Sequence, residues 1–126
     1  MIIGVGIDIV HISRMREWRE RRGLLERYFH PNELAAARDR GSGFEHSLAA
    51  RFAAKEAFGK AIGTGLTGLR LRQIEVVNDS LGKPSMVLEG AAKRRLEQIG
   101  GTGVFVSLTH ESDNAIAVVV IERSEE

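Results

Sequence analysis

Three charged residues could do chemistry: Asp8, which stands in an apolar strand-like run, and the pair Glu56 and Lys60. Aspartate is depleted in strands, yet Asp8 sits in MIIGVGIDIV with isoleucine on both sides. Gly4 and Gly6 leave room near that backbone for something bulky or charged. Glu56 and Lys60 are four positions apart, on adjacent turns of one helix face. Plain readings exist for each. Asp8 would pair with an arginine or cap the next helix, and Glu56 with Lys60 would form an ion pair. Together they admit a chemical reading. Two hard carboxylates with space for water and phosphate oxygens suit Mg²⁺, which rarely takes an all-protein cage. A lysine beside them supplies positive charge for a phosphate. With no cysteine, and four histidines that lack paired metal spacing, zinc is not indicated.

Two further segments invite a ligand reading. Gly63-Thr64-Gly65 resembles a phosphate loop in composition, but it follows a helical segment and no GxxxxGK[ST] occurs, so helix termination is the better reading. His110 ends a strand-like run beside Glu111, where acid, base or donor roles are open, and a structural role is the commoner one.

The elements that must position these groups follow from periodicity. Ile3, Val5, Ile7 and Ile9 alternate with Gly4, Gly6, Asp8 and Val10, which predicts a strand with the isoleucine face toward the core and Asp8 opposite it. A helix is expected over 12–21, a short turn over 24–29, and a helix from His30-Pro31-Asn32-Glu33 to Gly41-Ser42-Gly43. The longest helix spans 45–62, with Leu48, Phe52, Gly59 and Ile62 as its apolar stripe and Lys55 close to it. Glu56 and Lys60 fall at the edge of that stripe, where the first strand can meet them. A hairpin is expected from 73–78 and 84–89 around Asp79-Ser80-Leu81-Gly82-Lys83. A helix over 90–99 and strands over 104–109 and 115–121 complete an α+β fold: one domain over 1–126, with a mixed or antiparallel sheet packed on a long helix.

Composition narrows the function classes. At 126 residues, 43% hydrophobic and 28% charged, the chain is an ordinary globular domain rather than a disordered one. The apolar N-terminal run is short and carries Asp8, so it makes a poor signal peptide, and no stretch nears the ~20 apolar residues of a membrane span. A cytoplasmic protein with no nucleic-acid or membrane partner is expected. The net charge is +1, but Arg14, Arg16, Arg19, Arg21, Arg22 and Arg27 crowd residues 11–30. Such a patch serves an acidic partner or is a solvated helix face. Three functions remain in play: phosphoryl-group transfer, another Mg²⁺-dependent phosphate chemistry, and an oligomeric module that binds acidic proteins.

Five collinear fragments decide among them. GVGIDIVHISR (4–14), YFHPNEL (28–34), RFAAKEAFGKAIGTG (51–65), NDSLGKP (78–84) and SLTHESDNAIAVVV (107–120) resemble the holo-(acyl-carrier-protein) synthase family of 4′-phosphopantetheinyl transferases. The resemblance covers nearly the whole chain. It implies transfer of the phosphopantetheine arm of coenzyme A to a serine of acyl carrier protein, releasing adenosine 3′,5′-bisphosphate. It further implies Asp8 and Glu56 as Mg²⁺ ligands and Lys60 as the neutraliser of phosphoryl charge. Coenzyme A contacts would come from Arg51, Lys60, Gly63, Gly65, Lys83, Pro84 and His110. A homotrimer with interfacial sites is implied too, with Arg14 and Arg21 docking the acidic carrier. One position departs: relatives often carry an aromatic near 114, where this chain has Asn114. The residues leave open whether the carrier serves fatty-acid or polyketide synthesis.

Overall fold

The computed structural model describes residues 1–125. Strand β1 (Ile2–His11) leads into helices α1 (Ile12–Arg19), α2 (Leu24–Tyr28) and α3 (Pro31–Arg38), then the long α4 (Phe44–Ala61). The hairpin β2 (Ile74–Asn78) and β3 (Pro84–Leu88) follows, then α5 (Gly90–Gln98), β4 (Gly103–His110) and β5 (Asn114–Glu122). Two antiparallel sheets result, one ordered β1-β5-β4 and the other β2-β3. This is the α+β arrangement expected, with most element ends shifted by a residue or two and α3 stopping at Arg38, short of the expected Gly41.

Helix α4 is the axis of the molecule. It runs about 27 Å at the usual rise per residue and is buried on nearly every side rather than along one stripe. Alanines at 49, 50, 53, 54, 57 and 61 explain how. Small side chains let other backbones approach the helix from several directions, so binary patterning blurs. Glu56 stays half-buried and Lys60 exposed, the edge position that the spacing indicated.

The first strand turns over relative to expectation. Val5, Ile7 and Ile9 point outward at 60%, 61% and 59% exposure, while Gly6 and Val10 are buried on the other face. The glycines decide this. A Cβ on Gly4 would overlap the Ala61 carbonyl, and one on Gly6 the Ala57 carbonyl. Space beside the glycines therefore admits the α4 backbone rather than a ligand, and Asp8 follows the glycine face toward α4.

Polar groups fasten the hairpin to α4. Lys55 is fully buried and donates to Glu33 Oε1 at 2.7 Å, to the Leu71 carbonyl at 2.8 Å and to the Ile74 carbonyl. Glu33 Oε2 accepts the Val76 N–H at 3.1 Å, and Oε1 also accepts the N–H of His30, which caps α3. Arg51 donates to the Val76 carbonyl and to Asn78 Oδ1, both at 2.6 Å. A buried ion pair of this kind is tolerable only when its remaining hydrogen-bond capacity is filled, as here.

Candidate active site

Strand β1 and helix α4 bring Asp8, Glu56 and Lys60 together. Lys60 Nζ donates to Asp8 Oδ1 at 2.9 Å and to the Ile7 carbonyl at 3.0 Å. Glu56 lies one turn earlier on the same face. Its carboxyl is held above the ordinary carboxylate value, first by burial and then by the negative charge of Asp8, while Arg14 and Lys60 pull the other way. Two carboxylates close enough to repel each other form a place where a cation relieves a real cost. Among the described residues no group of three or more His, Cys, Asp or Glu is placed to hold a metal ion. A cation here would take two protein ligands and fill its shell from water and substrate, a pattern that Mg²⁺ tolerates.

The residues expected at coenzyme A divide. Arg51, Pro84 and His110 line one cleft of about 640 Å³, within the usual range for a small-molecule site, together with Arg40, His46 and Asn78. Lys83 is exposed between two of its lining residues, Gly82 and Pro84. Gly63 and Gly65 are elsewhere, past the C-terminal end of α4 near Lys60. Both have positive φ, and the Gly65 N–H bonds back to Gly59 O at 2.9 Å, so they end the helix as the composition indicated. Within one chain the cleft and the carboxylates are apart. Asp8 on β1 and Leu108 on β4 both register with Ala117 of the intervening β5. Two strand spacings, about 9–10 Å, separate those sheet edges.

The basic patch also divides. Arg16 and Arg19 bind Glu45, at 3.0 and 3.4 Å. Arg21 is exposed and has no partner among the described residues. Arg14 lies over Trp18 and Phe52, with its guanidinium 5.3 and 5.2 Å from their ring centroids, and its charge acts on Glu56. Asn114 opens β5, opposite His11; its amide nitrogen donates to Glu111 Oε1 at 3.0 Å while its Oδ1 is buried without a partner. Sequence reasoning missed His46, Arg40 and the anchoring role of Lys55. The cleft itself was indicated by three of the fragments, through Arg51, Pro84 and His110.

A helix cradled by a glycine-faced strand, with acid, acid and lysine at their junction, is the frame of a phosphate-handling transferase. The family model of the 4′-phosphopantetheinyl transferase superfamily matches residues 4–119, and the chain belongs to that family. It is 51% identical over 122 residues to the holo-[acyl-carrier-protein] synthase of Treponema denticola, covering 97% of this chain and 99% of that one. The crystal structure of the holo-[acyl-carrier-protein] synthase from Neisseria meningitidis superposes with a TM-score of 0.87 at 38% identity, covering 98% of this chain and 100% of that one. The Bacillus anthracis synthase in complex with CoA (3′,5′-ADP) superposes at 0.81 and 36% identity, covering 98% and 99%.

Proposed function

We infer that this protein is a phosphopantetheinyl transferase that moves the 4′-phosphopantetheine arm of coenzyme A onto a serine hydroxyl of apo-acyl-carrier-protein. The observation that carries the reading is the junction of Asp8, Glu56 and Lys60, in a chain alike over its whole length to synthases of that name. In the reaction the serine oxygen bonds to the pantetheine-bearing phosphorus as the diphosphate bridge breaks. Adenosine 3′,5′-bisphosphate leaves and the serine proton is released. Asp8 and Glu56 would hold Mg²⁺, whose chemical contribution is neutralisation of the diphosphate. Lys60 has two of its three N–H groups engaged, by Asp8 and Ile7, and the third is open toward solvent. It is placed to meet charge that develops on the phosphoryl oxygens as the bridge lengthens, the contribution that dominates such transfers.

The nucleotide end of coenzyme A would occupy the cleft of Arg51, Pro84 and His110. That cleft lies across the sheet from its own chain's carboxylates, which supports a site assembled between copies. The outward face of β1, with Val5, Ile7, Ile9 and nearby Phe105 at 57% exposure, supplies an apolar surface for the assembly, which we read as a homotrimer. Arg14 and Arg21 would receive the acidic carrier. Among the described residues no helix is long and apolar enough to cross a membrane. A cysteine-free chain suits a reducing compartment, and we place the reaction in the cytoplasm.

The test is direct. Incubation with coenzyme A, Mg²⁺ and apo-carrier should add the mass of one phosphopantetheine arm to the carrier. An unmodified carrier overturns the activity. Asp8→Ala and Glu56→Ala should fold and lose transfer; full transfer by both would remove the metal assignment.

A further inference from the structure

His46 and His110 come from distant parts of the chain and meet in the cleft. His46 is in the first turn of α4, and His110 is the last residue of β4. Their ring centroids are 5.4 Å apart and the planes are inclined at 61°, an edge-to-face geometry that aromatic rings favour. Among the described residues neither imidazole has a side-chain hydrogen bond. Arg51 does not share that freedom, because three of its nitrogens are bound to Ser47, Val76 and Asn78. Arg40, also lining the cleft, is exposed.

The backbone here is held, since His110 registers with Ala115 and the Glu111 N–H bonds to the Asn114 carbonyl at 2.9 Å, but no hydrogen bond among the described residues orients the imidazole. After His110 the chain turns through Glu111 and Asp113, and the Glu111 carboxylate accepts from the Asp113 N–H and the Asn114 amide rather than from the His110 ring. The contact to His46 ties it to the rigid N-terminal turn of α4 and leaves both of its nitrogens available to a ligand.

We propose that His46 is a positioning residue that holds the His110 ring, by packing, at the orientation in which it meets the nucleotide of coenzyme A. This rests on the assignment of the cleft to that nucleotide. Because the effect runs through ring packing, the charge and hydrogen bonding of His46 are dispensable while its flat ring is not. The action is on binding of one substrate, so it changes neither the chemical step nor carrier docking.

The experiment measures transfer kinetics together with direct binding of adenosine 3′,5′-bisphosphate by calorimetry. For His46→Ala the KM for coenzyme A should rise about three- to tenfold, the span that loss of one aromatic contact implies. The kcat and the KM for carrier should stay within about twofold, and nucleotide affinity should fall in parallel with the KM. His46→Phe should restore most of both, and the double variant with His110→Ala should be no worse than His110→Ala alone. Unchanged KM in His46→Ala, failure of His46→Phe to rescue, or additive losses in the double variant would each overturn the proposal. If His110→Ala binds the nucleotide as tightly as wild type while transfer is normal, the cleft assignment fails instead.

Discussion

Lys55 and Lys60 occupy the same helix, five positions apart, and do opposite things. Lys55 has a side chain at 0% exposure, and each of its three protons has one oxygen acceptor: a carboxylate and two backbone carbonyls. Burial lowers its pKa, an effect that Glu33 opposes through its charge and its hydrogen bond. Lys60 is 54% exposed and engages Asp8 and one carbonyl, with a proton to spare. A saturated, desolvated ammonium ties four segments of chain together and has no capacity left for a ligand. A half-solvated one beside two acids keeps that capacity. Residue type is the same; coordination decides the role.

Substitution should separate the two on different axes. Lys55→Met strands the buried Glu33 carboxylate and should cost about 3–5 kcal/mol of unfolding free energy, read by urea denaturation. Adding Glu33→Gln to it should recover part of the loss, because no buried charge then remains. A Lys55→Met protein as stable as wild type would erase the distinction. Lys60→Ala should leave the urea midpoint nearly unchanged and lower kcat about a hundredfold or more, the scale for loss of one charge-stabilising donor. Equal losses of stability in both variants would likewise break the comparison.

Smaller effects sharpen the surroundings of Lys60. Arg14→Glu should raise the KM for the acidic carrier about three- to tenfold, with the defect shrinking as salt rises. An unchanged KM would leave Arg14 as a lid on Trp18 and Phe52. The smallest effect concerns Glu56. Its folded pKa is raised above 4.5, so its favourable share of stability is present below the unfolded value and is lost as pH rises through the folded one. In chelator-treated protein Glu56→Gln should therefore raise the melting temperature at pH 7 but not at pH 4. For a half-buried group the gain is below about 1 kcal/mol. A gain of the same size at both pH values would show that the cost is not one of ionisation.

Much of this architecture is local and was legible in order along the chain. Pro31 after His30 marked the start of α3, Gly63 the end of α4, and Asp79-Ser80-Leu81-Gly82-Lys83 the hairpin, because each depends on backbone preferences within a few residues. Of the catalytic candidates, Asp8 was legible because it contradicts the strand around it, whereas Glu56 and Lys60 looked like an ordinary i,i+4 pair until the family resemblance marked them. The facing of β1 was not legible. Period-2 alternation defines two faces without saying which is inside, and here bulky isoleucines were the natural choice for the core.

Packing made that choice. The α4 backbone can approach only over Gly4 and Gly6, so the glycines turned inward, carried Asp8 to Glu56 and Lys60, and left Val5, Ile7 and Ile9 outside. The same all-round closeness, built on alanine, removed the stripe by which α4 was read. Chain order thus set the elements and singled out the candidate residues. Long-range contact alone determined that Lys55 is a buried tie, that Arg51 anchors Val76 and Asn78, and that His46 reaches His110. No periodicity along the chain encodes which distant surfaces can close on one another; that depends on shape in three dimensions.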